Sequence, residues 1–163
     1  MKKLSIFIIP AVLIFIFSYC YYHYRFQSIS FPAFKICNGK TISDLNINNE
    51  EVKLTLTHKI TMTSRKEGYD YIRGIVVIGD KLYKINRTLQ FRVSSIGLLN
   101  NHQYEVKLVQ VFPEDSLPQY LAEKYITFLK PGEVRDINIE KVGDGLLLIG
   151  DTTGPSFVCR YTM

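Results

Sequence analysis

From Glu51 to Thr63 the chain alternates between apolar and polar positions. Val52, Leu54, Leu56, Ile60 and Met62 fall in one phase; Glu51, Lys53, Thr55, Thr57, Lys59, Thr61 and Thr63 fall in the other. A period of two with this much threonine predicts a half-buried antiparallel strand. A second such strand is predicted over Leu82–Ser95, with Tyr83, Ile85, Leu89, Phe91 and Val93 on its apolar face. A third covers Tyr104–Phe112, with Tyr104, Val106, Leu108 and Phe112 together. Tyr69–Ile78 is apolar on both faces from Ile75 onward, which predicts a central strand. Val134–Val142, Leu146–Ile149 and Phe157–Tyr161 are shorter strand candidates, set off by turn signals such as Gly79-Asp80 and Gly143-Asp144-Gly145. One segment departs from the pattern. Ser116 to Ile126 has a serine in capping position, an early proline and good helix formers, which predicts one short helix starting near Leu117. Seven or eight antiparallel strands with one apolar face each must pair as a sandwich or close into a barrel.

The N-terminus follows another rule. Leu4 to Tyr22 is uncharged and mostly apolar, long enough as a helix for about 28 Å against a hydrocarbon core of about 30 Å. Lys2 and Lys3 precede it and Arg25 follows, a bias that orients the N-terminus toward the cytoplasm. Tyr19, Tyr21, Tyr22, Tyr24 and Phe26 would form an aromatic collar at the outer interface, and Pro10 is tolerable within a span. A cleaved signal peptide is the rival, but Tyr-Cys-Tyr-Tyr-His-Tyr offers no small-residue cleavage site. A lipid-modified Cys20 would want a small residue where Tyr19 stands. The chain therefore divides into an anchor (residues 1–26), a short tether (27–34) and an extracytoplasmic β-domain (35–163).

The net charge of +5 changes little, because three of the cations flank the anchor. The remainder is a mixed surface, which argues against nucleic acid as a partner. Of the three cysteines, Cys37 and Cys159 lie near opposite ends of the β-domain. In an oxidising compartment they are a candidate disulfide; two unrelated buried thiols are the other reading. His23, His58 and His102 are scattered and no CxxC is present, so no zinc or other cofactor is expected.

No GxSxG, Walker loop, HExxH or GxGxxG is present, and the chain is not expected to be an enzyme. Asn86-Arg87-Thr88 matches a glycosylation sequon but falls within a strand. His58, Arg87 and Gln110 interrupt apolar strand faces. Such residues can sit near strand ends, hydrogen-bonded and partly wet. Alternatively they line a cavity and orient a ligand, and an arginine there would suit an anionic amphiphile.

Lys35-Ile-Cys-Asn-Gly39, Tyr83-Lys-Ile-Asn-Arg87 and Ser156-Phe-Val-Cys-Arg160 carry a full-length resemblance to the FidL-like membrane proteins of enteric bacteria. That resemblance implies an inner-membrane anchor and a small periplasmic domain, with no assigned biochemical activity. In layout the family is similar to the ToxS- and VtrC-like partners of ToxR-type regulators, which form lipocalin-like barrels and can bind bile salts. By that analogy the chain is expected to be an accessory of a membrane-spanning transcription regulator, or else a binding module for a lipid or bile-like molecule.

Overall fold

The alternating segments close on themselves. In the computed structural model, eight antiparallel strands run in chain order: β1 (Ile36–Ile47), β2 (Glu50–Met62), β3 (Glu67–Ile78), β4 (Lys81–Ser95), β5 (Asn101–Val111), β6 (Val134–Gly143), β7 (Leu146–Asp151) and β8 (Gly154–Thr162). β1 pairs with β8 to complete a barrel, so every strand has two neighbours. Closure removes the exposed edge that strands of this length would otherwise present. The structure describes residues 12–21, 35–47, 49–95, 101–126, 128–151 and 154–162.

The chain divides into two units, residues 1–30 and 31–163. In the first, residues 12–21 are helical and exposed, and include the free thiol of Cys20. The rest of the predicted anchor, its flanking Lys2, Lys3 and Arg25, and the tether 27–34 lie outside the described residues. Among the described residues no helix is long and apolar enough to cross a membrane.

Inside the barrel the predicted faces hold. Val52, Leu54, Leu56 and Ile60 of β2 are buried, as are Ile85, Leu89, Phe91 and Val93 of β4; Met62 and Tyr83 pack partly buried beside them. β1 was not marked by the hydrophobic pattern. Its inward residues include Gly39, Thr41 and Ser43, whereas Ile42 points outward and is 68% exposed. β3 is paired on both sides, as a central strand is, but its two faces differ: Ile75 is exposed, whereas Ile72, Val76 and Ile78 lie on the core side with Asp70. Gly74 lets β3 approach β2, since a Cβ there would lie 2.0 Å from the Thr55 carbonyl oxygen.

Two further corrections concern β5 and the helix. Gln90 pairs with Leu108 but Phe91 pairs with Val106, so Lys107 is an extra residue that inverts the phase of the strand. Tyr104 and Val106 remain on the core side, Val109 replaces Leu108 there, and Leu108 and Gln110 turn outward. The helix α1 spans Gln119–Tyr125 with Pro118 as its N-cap residue, and no side chain caps it. Leu117 precedes a proline and is thereby disfavoured from helical geometry. Ser116 serves elsewhere: its Oγ accepts from the Lys84 N–H at 2.9 Å. Leu117, Ala122, Tyr125, Ile126 and Leu129 pack onto the core formed by Val52, Val76, Ile78 and Ile85, covering one end of the barrel.

Candidate functional site

The disulfide sits across the barrel seam. β1 and β8 pair over five positions, with Gly39 opposite Cys159 and Cys37 opposite Tyr161. Both cysteines are fully buried, and their Cα atoms are 5.6 Å apart, within bridging range. Bonding residues 122 apart in sequence ties the first strand to the last.

Arg87 lies on the core face of β4 and is 1% exposed. Its Nε donates to Asp115 Oδ2 at 2.8 Å and its Nη2 to Asp115 Oδ1 at 3.1 Å. Nη1 donates to Gln119 Oε1 at 2.7 Å, and Nη2 also reaches the Leu117 carbonyl. Asp115 accepts two backbone N–H bonds besides, from Asn86 at 2.9 Å and Leu117 at 3.0 Å. The carboxylate is thus bonded on both oxygens, and every guanidinium nitrogen is engaged with the chain itself. Of the two readings of Arg87, the hydrogen-bonded one fits: it binds the β5–α1 connection to the barrel. Gln110 does not lie on an inward face, because the bulge at Lys107 places it on the exposed outer wall.

His58 does face inward. Nδ1 lies 2.9 Å from Asp70 Oδ2 and Nε2 lies 3.2 Å from Thr41 Oγ1. A ring proton on Nδ1 would be donated to the carboxylate, leaving Nε2 to accept from the threonine hydroxyl. Phe157 stacks on the imidazole with centroids 4.5 Å apart, and the missing side chain of Gly39 makes room for its ring. Asp70 Oδ1 is buried with no hydrogen-bond partner among the described residues. It faces a cavity of about 50 Å³ lined by His58, Asp70, Tyr104, Phe128 and Phe157 among apolar neighbours. Burial, reinforced by the Asp70 charge, pushes the Tyr104 phenol well above its ordinary value.

The order Thr–His–Asp resembles a nucleophile relay, but Thr41 lies mid-ladder opposite Leu56, where backbone groups serve strand pairing. Among the described residues no cluster of His, Cys, Asp or Glu is placed to hold a metal.

The outer wall has its own concavity, about 690 Å³, across β8, β1, β2 and β3. Lys40, Lys59, Arg73 and Arg160 line it, with Tyr71, Asn38 and Thr57 between them. Sequence alternation placed Thr57 and Lys59 outside but did not show that the barrel brings them together with the others. The signal lay in the β1–β8 closure, which no local pattern encodes.

No curated protein matches the sequence. A family model described as "FidL-like putative membrane protein" matches residues 74–159, from the middle of β3 to the disulfide cysteine of β8. That match spans more than half of the chain and contains the Tyr83–Arg87 segment and Cys159, and the protein belongs to the FidL-like family.

Proposed function

We propose that the protein is an inner-membrane accessory whose disulfide-closed barrel stands in the periplasm, where it binds and stabilises a membrane-spanning transcription regulator. One observation carries this reading: the barrel interior is already occupied. The inner cavity beside His58 and Asp70 measures about 50 Å³, whereas small-molecule sites usually run from about 300 to 1,000 Å³. Arg87, the cation that would have met an anionic amphiphile, is consumed by Asp115, Gln119 and Leu117. Recognition therefore falls to the outer wall, and a wall suits a protein partner. A disulfide across the seam supports an oxidising compartment. Anchoring both proteins in one membrane would raise their effective concentration, so a modest interface suffices. The chain would stabilise the regulator by mass action, binding its folded form.

The enclosed-amphiphile alternative requires the barrel to open, and no observation favours that. Affinity purification of the full-length chain from solubilised membranes tests the proposal. A single-pass DNA-binding protein is expected to co-purify, and its lifetime in cells should shorten when the chain is deleted. An unchanged lifetime with no such protein recovered would refute it.

A further inference from the structure

We infer that the outer concavity across β8, β1, β2 and β3 is a docking groove for an extended acidic segment of a partner protein. This rests on the protein-binding reading above and adds the chemistry of the contact. The strand register builds the groove. Arg160, Asn38, Lys59 and Tyr71 form one cross-strand row, and Val158, Lys40, Thr57 and Arg73 form the next. Both rows point outward. The groove lining carries four cations and no carboxylate.

Several other outward cations are matched by a carboxylate. Lys53 pairs with Glu51 at 2.8 Å, Arg92 with Glu67 at 2.7 Å and Lys107 with Glu105 at 2.5 Å. Lys40, Lys59, Arg73 and Arg160 form no ion pair among the described residues; Arg73 donates only its Nε–H to Asn86 Oδ1, at 3.1 Å. Four cations gathered in one concavity without a carboxylate are complementary to an anion supplied from outside.

Geometry chooses among anions. From β8 to β3 there are three inter-strand spacings, about 14 Å in all, which an extended segment of about four residues spans. Carboxylates spread along such a segment can meet cations in successive strands, while a single headgroup reaches only one end. The surface is also concave, so a flat bilayer cannot follow it. Ile42 and Ile75, exposed on the row next to Lys40 and Arg73, offer apolar contact to a side chain flanking the acidic run.

The test uses the full-length chain in phosphatidylcholine nanodiscs. It is titrated by fluorescence anisotropy with a fluorescein-labelled octapeptide of Asp and Glu around one Phe, and with the Asn/Gln counterpart. The acidic peptide should bind at least tenfold more tightly than its amide counterpart. K40Q/K59Q/R73Q/R160Q should lose at least tenfold, and R92Q/K107Q/R135Q/K141Q should stay within threefold of the parent. All eight positions are exposed, and circular dichroism should report an intact barrel in both variants. Equal losses in the two variants would assign binding to net charge and overturn the groove. Absence of peptide binding together with groove-dependent capture of phosphatidylglycerol vesicles would reassign it to lipid headgroups and also overturn it. A regulator that still co-purifies with the groove variant at parental yield would remove the groove while leaving the protein-binding reading in place.

Discussion

Replacing Arg87 by methionine is expected to be among the most damaging single changes in the barrel. Methionine keeps much of the apolar volume but abolishes every hydrogen bond that the guanidinium makes. Asp115, whose side chain is 1% exposed, would keep its backbone donors from Asn86 and Leu117 but lose its counter-ion. Breaking a buried pair by removing one partner costs about 3–5 kcal/mol, because a charge stays buried without compensation. Domains of this kind hold only about 5–15 kcal/mol in total. With a urea slope of about 1–3 kcal/mol/M, the midpoint of the Arg87→Met protein should fall by more than about 1 M. Tyrosine fluorescence of the full-length chain in mild detergent reads the transition. Amide exchange should quicken first in α1, because Gln119 and the Leu117 carbonyl lose their tie to β4. Arg87→Met/Asp115→Leu, which removes both charges, should recover at least half of the loss. A single variant within about 0.5 kcal/mol of the parent, with an unchanged slope, would refute the structural role and return Arg87 to the list of ligand-facing groups.

Cys159→Ser should destabilise by about 2–5 kcal/mol, since closing a loop of 122 residues is worth roughly 4–5 kcal/mol in chain entropy; an unchanged urea midpoint under oxidising conditions would count against the seam bond. Phe91→Ala should cost about 3–5 kcal/mol by leaving a cavity, whereas outward Thr57→Ala should stay within about 0.5 kcal/mol. Gly74→Ala should fail to reach native stability, because its Cβ would overlap backbone of β2; a parental melting temperature would contradict the close approach. Stability should also narrow with pH at both ends. Burial holds His102 below its ordinary value, so stability is full above about pH 6.5 and falls as pH drops toward the lowered native value. Tyr104 is held above its ordinary value, so stability is full below about pH 10 and falls as pH rises toward the raised one. His102→Gln and Tyr104→Phe should each flatten their own limb of the pH–stability curve.

Strand identity was legible in β2 and β4 because their inward residues are large and apolar, and the alternation is unbroken by the fold. β1 was hidden because its core side is built from Gly39, Thr41 and Ser43, which sequence patterning counts as polar or neutral. Those small residues are what admit Phe157 and the His58 ring into the interior. The bulge at Lys107 was equally hidden, since an inserted residue leaves no compositional mark, and it moved Gln110 from the inferred interior to the wall. Arg87 was rightly placed on the core face. Its partner, Asp115, is 28 residues away on a connection whose path only the closed barrel determines. The disulfide was readable because cysteine usage reports compartment, while the choice between sandwich and barrel rested on the β1–β8 pairing.

The central claim is that the wall, and not the lumen, recognises a membrane-held regulator. It is tested most directly by photo-crosslinking in living cells, with a crosslinkable residue placed in turn at Thr57 and Ile75 on the outer wall of the full-length chain. The account predicts adducts with a membrane-spanning DNA-binding protein, identified by mass spectrometry and absent when the regulator is deleted. No regulator adduct at either position, together with a bile-salt- or fatty-acid-sized molecule recovered from the purified barrel, would contradict it.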